Sequence, residues 1–181
     1  MQYPRVSEVL SVLNWYPEKI MPDVILNRLA KYGTGLHNVI AKASTGQRTR
    51  VASKYRARVE NLKDYMEEEG YVVEQAECPV RCELNQLEGP LARGFVGTCD
   101  AIVKAPDGTL EVWDYKSGKF NLKHMLQVNG YKIGYEFIHP DKKITKMKLI
   151  RPTKDDVRVL DVPLMDKDFL NLVDWYYRVY G

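Results

Sequence analysis

Apolar residues recur at Val51, Tyr55, Val59, Leu62 and Met66 between Thr49 and Glu69, a helical spacing that Gly70 stops. From Tyr71 to Leu84 the pattern changes to strand-like alternation. Phe95–Val103 and Leu110–Lys116 are two β-rich runs, and Ala105-Pro-Asp-Gly108 between them supplies the positive φ of a tight hairpin. Upstream, Ser7–Leu13 predicts a short helix capped by Ser7, with Glu8 in its first turn. A second helix is expected over Pro22–Lys31, with Ile25, Leu26 and Leu29 on one side. Gly33-Thr-Gly35 should break it, and a third helix carries His37, Val39 and Ile40 as far as Gly46. Downstream come a helix over Leu122–Ile138 closed by Pro140, strands at Ile144–Ile150 and Val157–Val162, and an amphipathic helix over Asp166–Tyr180. Asn85–Pro90 reads as a loop. The order implies an α/β fold with a central mixed sheet flanked by helices.

A chain of 181 residues with an ordinary apolar share fits one domain, 1–181, with a sizeable core and no low-complexity tract. The first residues mix Pro4, Arg5, Glu8, Pro17, Glu18 and Lys19, which is no secretory pattern, and no run is long enough to cross a bilayer. The expectation is a cytoplasmic protein that makes no use of a membrane. Cys78, Cys82 and Cys99 are an odd set and argue against a disulfide framework. Cys78 and Cys82 would share a strand face, where a metal clip is conceivable and small buried strand residues are favoured. The net charge of +3 does not by itself imply nucleic acid. Its distribution says more, because Lys42, Arg48, Arg50, Lys54, Arg56 and Arg58 follow one another with no acid among them. Such a run suits a phosphate backbone or a solvated helix face.

Candidate chemistry sits at the ends of the hairpin strands. Asp100 is flanked by Val96, Ile102 and Val103, and Asp114 precedes Lys116 by two positions, so Asp114 and Lys116 share a face while Tyr115 takes the other. An unpaired carboxylate in an apolar strand is costly, which points to a cation beside it. That cation is a metal or, in the plainer reading, Lys116 itself. Two carboxylates holding a divalent ion, with a lysine to orient or deprotonate water, are what phosphodiester hydrolysis requires. Gln127 and Tyr131, four apart, share a helix face.

Asp100, Asp114 and Lys116 resemble the D…(D/E)xK core of the PD-(D/E)XK nuclease superfamily, and Asp114-Tyr-Lys-Ser117 is similar to its RecB-like exonuclease branch. Gln127-Val-Asn-Gly-Tyr131 resembles the QxxxY motif of those enzymes, and Gly35-Leu-His37 their metal-binding helix histidine. These elements run in family order from about Ser7 to Tyr131. The resemblance implies the PD-(D/E)XK fold and Mg²⁺ or Mn²⁺ held by His37, Asp100, Asp114 and the Tyr115 carbonyl. In it Lys116 is the catalytic lysine, and Gln127 and Tyr131 order that lysine and anchor the DNA backbone. Glu77 is a possible outer acid, and Lys123 and His124 possible phosphate contacts. With no cysteine after Cys99, the iron–sulfur cluster of the CRISPR-associated members has no ligands here. The implied function is a DNA exonuclease with little sequence specificity, acting on single strands or duplex ends, with Arg48, Arg50, Lys54 and Arg58 along the DNA. The alternatives are a single-strand or structure-specific endonuclease of the same fold and an inactive nucleic-acid-binding module.

Overall fold

The computed structural model describes residues 3–13, 23–46, 50–84 and 93–180. Residues 85–90, expected as a loop, Arg48 and the helix start expected at Pro22 lie outside the described residues. The helix expected from Thr49 starts instead at Ser53, because Arg50–Ala52 are not helical and Ala52 is extended at the cap position, φ −61° and ψ 144°. Helix α1 (Val6–Val9) continues as a 3₁₀ turn to Leu13, followed by α2 (Asp23–Ser44) and α3 (Ser53–Glu68). Strands β1 (Val72–Leu84), β2 (Arg93–Lys104) and β3 (Leu110–Tyr115) come next. Helix α4 (Leu122–Ile138) leads to β4 (Ile144–Pro152), β5 (Val157–Asp161) and α5 (Asp166–Tyr180).

The five strands lie in sequence order in one mixed sheet. β1, β2 and β3 are antiparallel neighbours, β3 and β4 are parallel, and β5 returns antiparallel to β4. The parallel pair requires a crossover, and α4 supplies it. At the hairpin turn Ala105 N–H donates to Thr109 O at 2.8 Å, and Gly108 adopts φ 84°.

Alternation along the strands divides the core into two layers. On one face Phe95, Cys99, Val112 and Leu149 pack with Leu126 and Val128 of α4 and Phe169 of α5. On the other, Trp113, Tyr115 and Ile150 pack with Leu36 and Ile40 of α2 and Tyr55, Val59 and Leu62 of α3. Complete burial of a side chain such as Phe169 or Leu36 contributes roughly 1.5–3 kcal/mol, so both helical layers are held mainly by these stripes.

Two further expectations are corrected. α1 starts at Val6 with Arg5, not Ser7, at its cap position. Arg5 is fixed there because it bridges to Val96 of β2, Val96 N–H donates to Pro4 O at 2.9 Å, and Arg5 N–H donates to the Glu8 carboxylate at 2.6 Å. Gly33 and Gly35 do not break a helix: α2 runs through both for 22 residues. Their role is close approach. The Tyr55 hydroxyl stands where a Cβ on Gly35 would be, and Ser117 Oγ lies 3.3 Å from the Cβ position of Gly33. Packing against α3 and the segment after β3 therefore outweighs the helix cost of two glycines, about 1 kcal/mol each.

Candidate active site

The ladder between β2 and β3 reaches from Lys104–Leu110 to Ala101–Trp113 and there the two strands part. Beyond that point Asp100 Oδ2 accepts the Tyr115 N–H at 2.7 Å, replacing a backbone partner with a carboxylate. β3 stays tied to β4, since Lys116 N–H donates to Ile150 O at 2.8 Å. The split leaves two acids and a lysine at one end of the sheet, between the helical layers.

His37 of α2 approaches from the second layer, its Nδ1 3.4 Å from Asp100 Oδ2. Burial opposes charge on this imidazole, but the hydrogen bond and charge of Asp100, with Asp114 behind, outweigh it and hold the pKa above the ordinary value. Asp114 is 2% exposed. Burial first and the charge of Asp100 second push its pKa up to about 7, against the opposing pull of Lys116. Lys116 Nζ stands 2.5 Å from Asp114 Oδ2 and donates to Gln127 Oε1 at 2.9 Å. Gln127 Nε2 in turn donates to Tyr131 Oη at 2.7 Å. Tyr131 is held well above the usual tyrosine pKa by burial and by the nearby acids, so its hydroxyl stays protonated.

Local sequence explains how α4 delivers Gln127. Asn121 caps the helix by accepting the His124 N–H at 3.0 Å, which sets the phase that turns Gln127 and Tyr131 to the lysine. Gly97 makes room for Tyr131, because its Cβ position lies 3.0 Å from Tyr131 Cε1. A cleft of about 360 Å³ beside Gln127 and Tyr131 is lined also by Arg5, Ser7 and Thr98.

The donor set suits a hard divalent cation: two carboxylates, one of them on a nearly fully buried Asp114, and one imidazole. Its present arrangement is a closed ion pair. Lys116 lies against Asp114, and among the described residues no three His, Cys, Asp or Glu side chains stand ready to ligate one ion. Holding an ion requires Asp114 to turn from Lys116 toward Asp100.

Other candidates disperse. Arg50 and Lys54 are exposed, whereas Arg58 is half-buried and committed, donating from Nε to Tyr32 Oη at 2.8 Å and from Nη1 to Pro152 O at 2.9 Å. Arg58 is thus a brace between α2, α3 and β4 rather than part of an open basic track. His124 is half-buried, and burial and then Lys116 lower its pKa to about 4, so it is a neutral neighbour of the lysine. Glu77 is more informative. It has φ 50°, the one non-glycine in the left-handed region among the described residues, and it falls between the Ala76–Ala101 and Cys78–Cys99 pairs of the β1–β2 ladder. Burial and then Asp100 raise its pKa. Cys78 and Cys82 are both buried in the core, Cys78 facing Cys99 across the ladder, so they form no clip with each other. Arg5, which lines the cleft beside Gln127 and Tyr131, carries no local signal in the sequence because a β-bridge places it.

No protein-family model matches the chain, and no curated protein matches it. Among solved structures it is similar to SSO0001, at 15% identity and a TM-score of 0.47 over 97% of this chain and 84% of that one. It is also similar to a protein of Eubacterium rectale named "Putative exonuclease", at 13% identity and a TM-score of 0.49 over 98% and 79%. Likenesses this distant assign no residue a role, and the chemistry rests on the side chains of this chain.

Proposed function

We propose that this protein is a metal-dependent DNA nuclease of the RecB-like type, hydrolysing phosphodiester bonds as an exonuclease with little sequence preference. The observation that supports it is the unbroken line of contacts from Asp114 through Lys116 and Gln127 to Tyr131, beside Asp100 and His37. A lysine held on one side by a buried carboxylate and on the other by a side-chain amide is a positioned cation, which a purely structural salt bridge does not need.

Asp100, Asp114, His37 and the Tyr115 carbonyl would hold Mg²⁺ or Mn²⁺, the imidazole favouring Mn²⁺. When bound, such an ion supplies an acidified water and offsets phosphate charge. Lys116, released from Asp114, turns its ammonium to the attacked phosphate and stabilises the negative charge that builds on its oxygens. Gln127 keeps Nζ directed, and Tyr131, protonated across the working range, keeps Gln127 oriented. Asp100, by accepting the Tyr115 N–H, holds the two strand ends at a fixed separation.

The test is digestion of circular and end-labelled linear DNA, single- and double-stranded, with Mg²⁺, Mn²⁺ or EDTA. Linear DNA should be degraded from its ends with either metal, more strongly with Mn²⁺, and circles should survive. Cutting of circles would move the reading to an endonuclease. Hydrolysis that persists after exhaustive chelation would overturn the metal mechanism.

A further inference from the structure

A second cleft, of about 720 Å³, lies between α2 and α3 and is lined by Val24, Asn27, Arg28, Lys31, Tyr32 and Lys54. Among the described residues its lining holds three cations and no acid. All three are exposed, and neither Arg28 nor Lys31 forms an ion pair with any described residue. Lys54 Nζ sits 4.7 Å from the Tyr55 ring centre and 5.9 Å from that of Tyr32, so aromatic faces hold it at the cleft. Like charges gathered on one concavity repel each other, and a polyanion is what relieves them.

The cleft and the candidate active site share helix α2, which carries both its cations and His37. Tyr32 precedes Gly33, whose bare α-carbon lets Ser117, the residue after Lys116, approach α2. His37 lies five residues beyond Tyr32, a rise of roughly 7.5 Å along the helix axis. An aliphatic side chain accompanies the cations: Val24, which lines the cleft, is 79% exposed. A duplex turns only phosphate and sugar outward along its backbone, whereas an unpaired strand also offers base faces that aliphatic groups can cover.

We propose that the α2–α3 cleft is the track of an unpaired nucleic-acid strand, with Arg28, Lys31 and Lys54 on its phosphates and Val24 against a base. This deepens the nuclease reading and rests on it.

Fluorescence anisotropy with one labelled oligonucleotide, as single strand and as blunt duplex, tests it in EDTA over a salt series. The wild-type protein should bind the single strand about tenfold or more tighter than the duplex. Together, Arg28→Ala, Lys31→Ala and Lys54→Ala should flatten the slope of log affinity against log salt by about 2, three phosphate contacts at ~0.7 each. Val24→Ser should weaken the single strand about threefold and leave that slope unchanged. The substituted side chains are exposed, and circular dichroism should show all variants folded. Equal affinity for duplex, an unchanged slope in the triple variant, or displacement by polyglutamate as readily as by unlabelled strand overturns the track. If the wild type cleaves DNA with Mn²⁺ while the triple variant binds as before, only the track falls. If the wild type neither binds nor cleaves, the nuclease reading falls with it.

Discussion

At Asp114 burial and the charge of Asp100 lift the carboxyl pKa to about 7, against about 3.9 in an unfolded chain. Between those values the folded state binds the extra proton, so the metal-free protein loses this contribution as pH rises from about 4 through 7. Asp114→Asn should remove that decline, read as urea midpoints at pH 5 and pH 8. An unchanged profile would mean that Asp114 does not titrate in this window. His124 has the opposite sign, since its pKa is lowered to about 4 from an ordinary value of 6.5. It costs stability as pH falls through that interval, and His124→Gln should lessen the acid-side loss. Lys116→Ala should reduce cleavage by roughly two or more orders of magnitude while DNA binding in EDTA persists. Equal losses of binding and cleavage would make Lys116 a binding residue instead.

Among the elements, β3 and β4 carry a polar network that alternation does not announce. Glu111 is fully buried and its Oε2 accepts the Trp113 Nε1–H at 2.7 Å while meeting Lys148 Nζ at 3.0 Å. Lys148 also donates to the Tyr71 hydroxyl and lies 4.4 Å from that ring's centre. Glu111→Ala leaves a buried ammonium without its carboxylate and should cost about 3–5 kcal/mol in denaturant unfolding. Glu111→Leu combined with Lys148→Met should recover most of that loss, because two apolar groups replace both charges. A second element-scale test is the fit of α4 on β2. Gly97→Ala places a methyl group 3.0 Å from Tyr131 Cε1, an overpacking that should cost roughly 1–3 kcal/mol. Shifting Tyr131 also loosens Gln127 and Lys116, so turnover should fall more than DNA affinity.

Across the whole molecule, the site lies where two separately packed layers meet one sheet. Asp100 is gripped from the α2 side by His37, and Asp114 faces α4 through Lys116 and Gln127. An ion joining the acids would tie those layers together. Mn²⁺ should therefore raise the melting temperature of the wild-type protein, and EDTA should reverse the rise. Asp100→Ala and Asp114→Ala should abolish the shift, with His37→Ala reducing it; a full shift in Asp114→Ala would exclude that residue as a ligand. No helix among the described residues is long and apolar enough to cross a membrane.

Periodicity in the sequence determined most elements, because each was recorded by its own side chains. The limits of α4 and α5 coincide with those expected, and Gly70 and Gly108 adopt the positive φ that their positions implied. The order of Asp100, Asp114, Lys116, Gln127 and Tyr131 was likewise legible, since strand and helix periods put each pair on one face. Other features depend on atoms distant in sequence. Gly33 and Gly35 look like breakers until the Tyr55 hydroxyl and Ser117 occupy the space they leave. Arg58 looks like a phosphate contact until Tyr32 and Pro152 claim its guanidinium. The closed Asp114–Lys116 pair, the left-handed Glu77 and the basic cleft of Arg28, Lys31 and Lys54 were decided only by tertiary structure. Local pattern sets which face a side chain takes, and only packing between elements sets what it meets there.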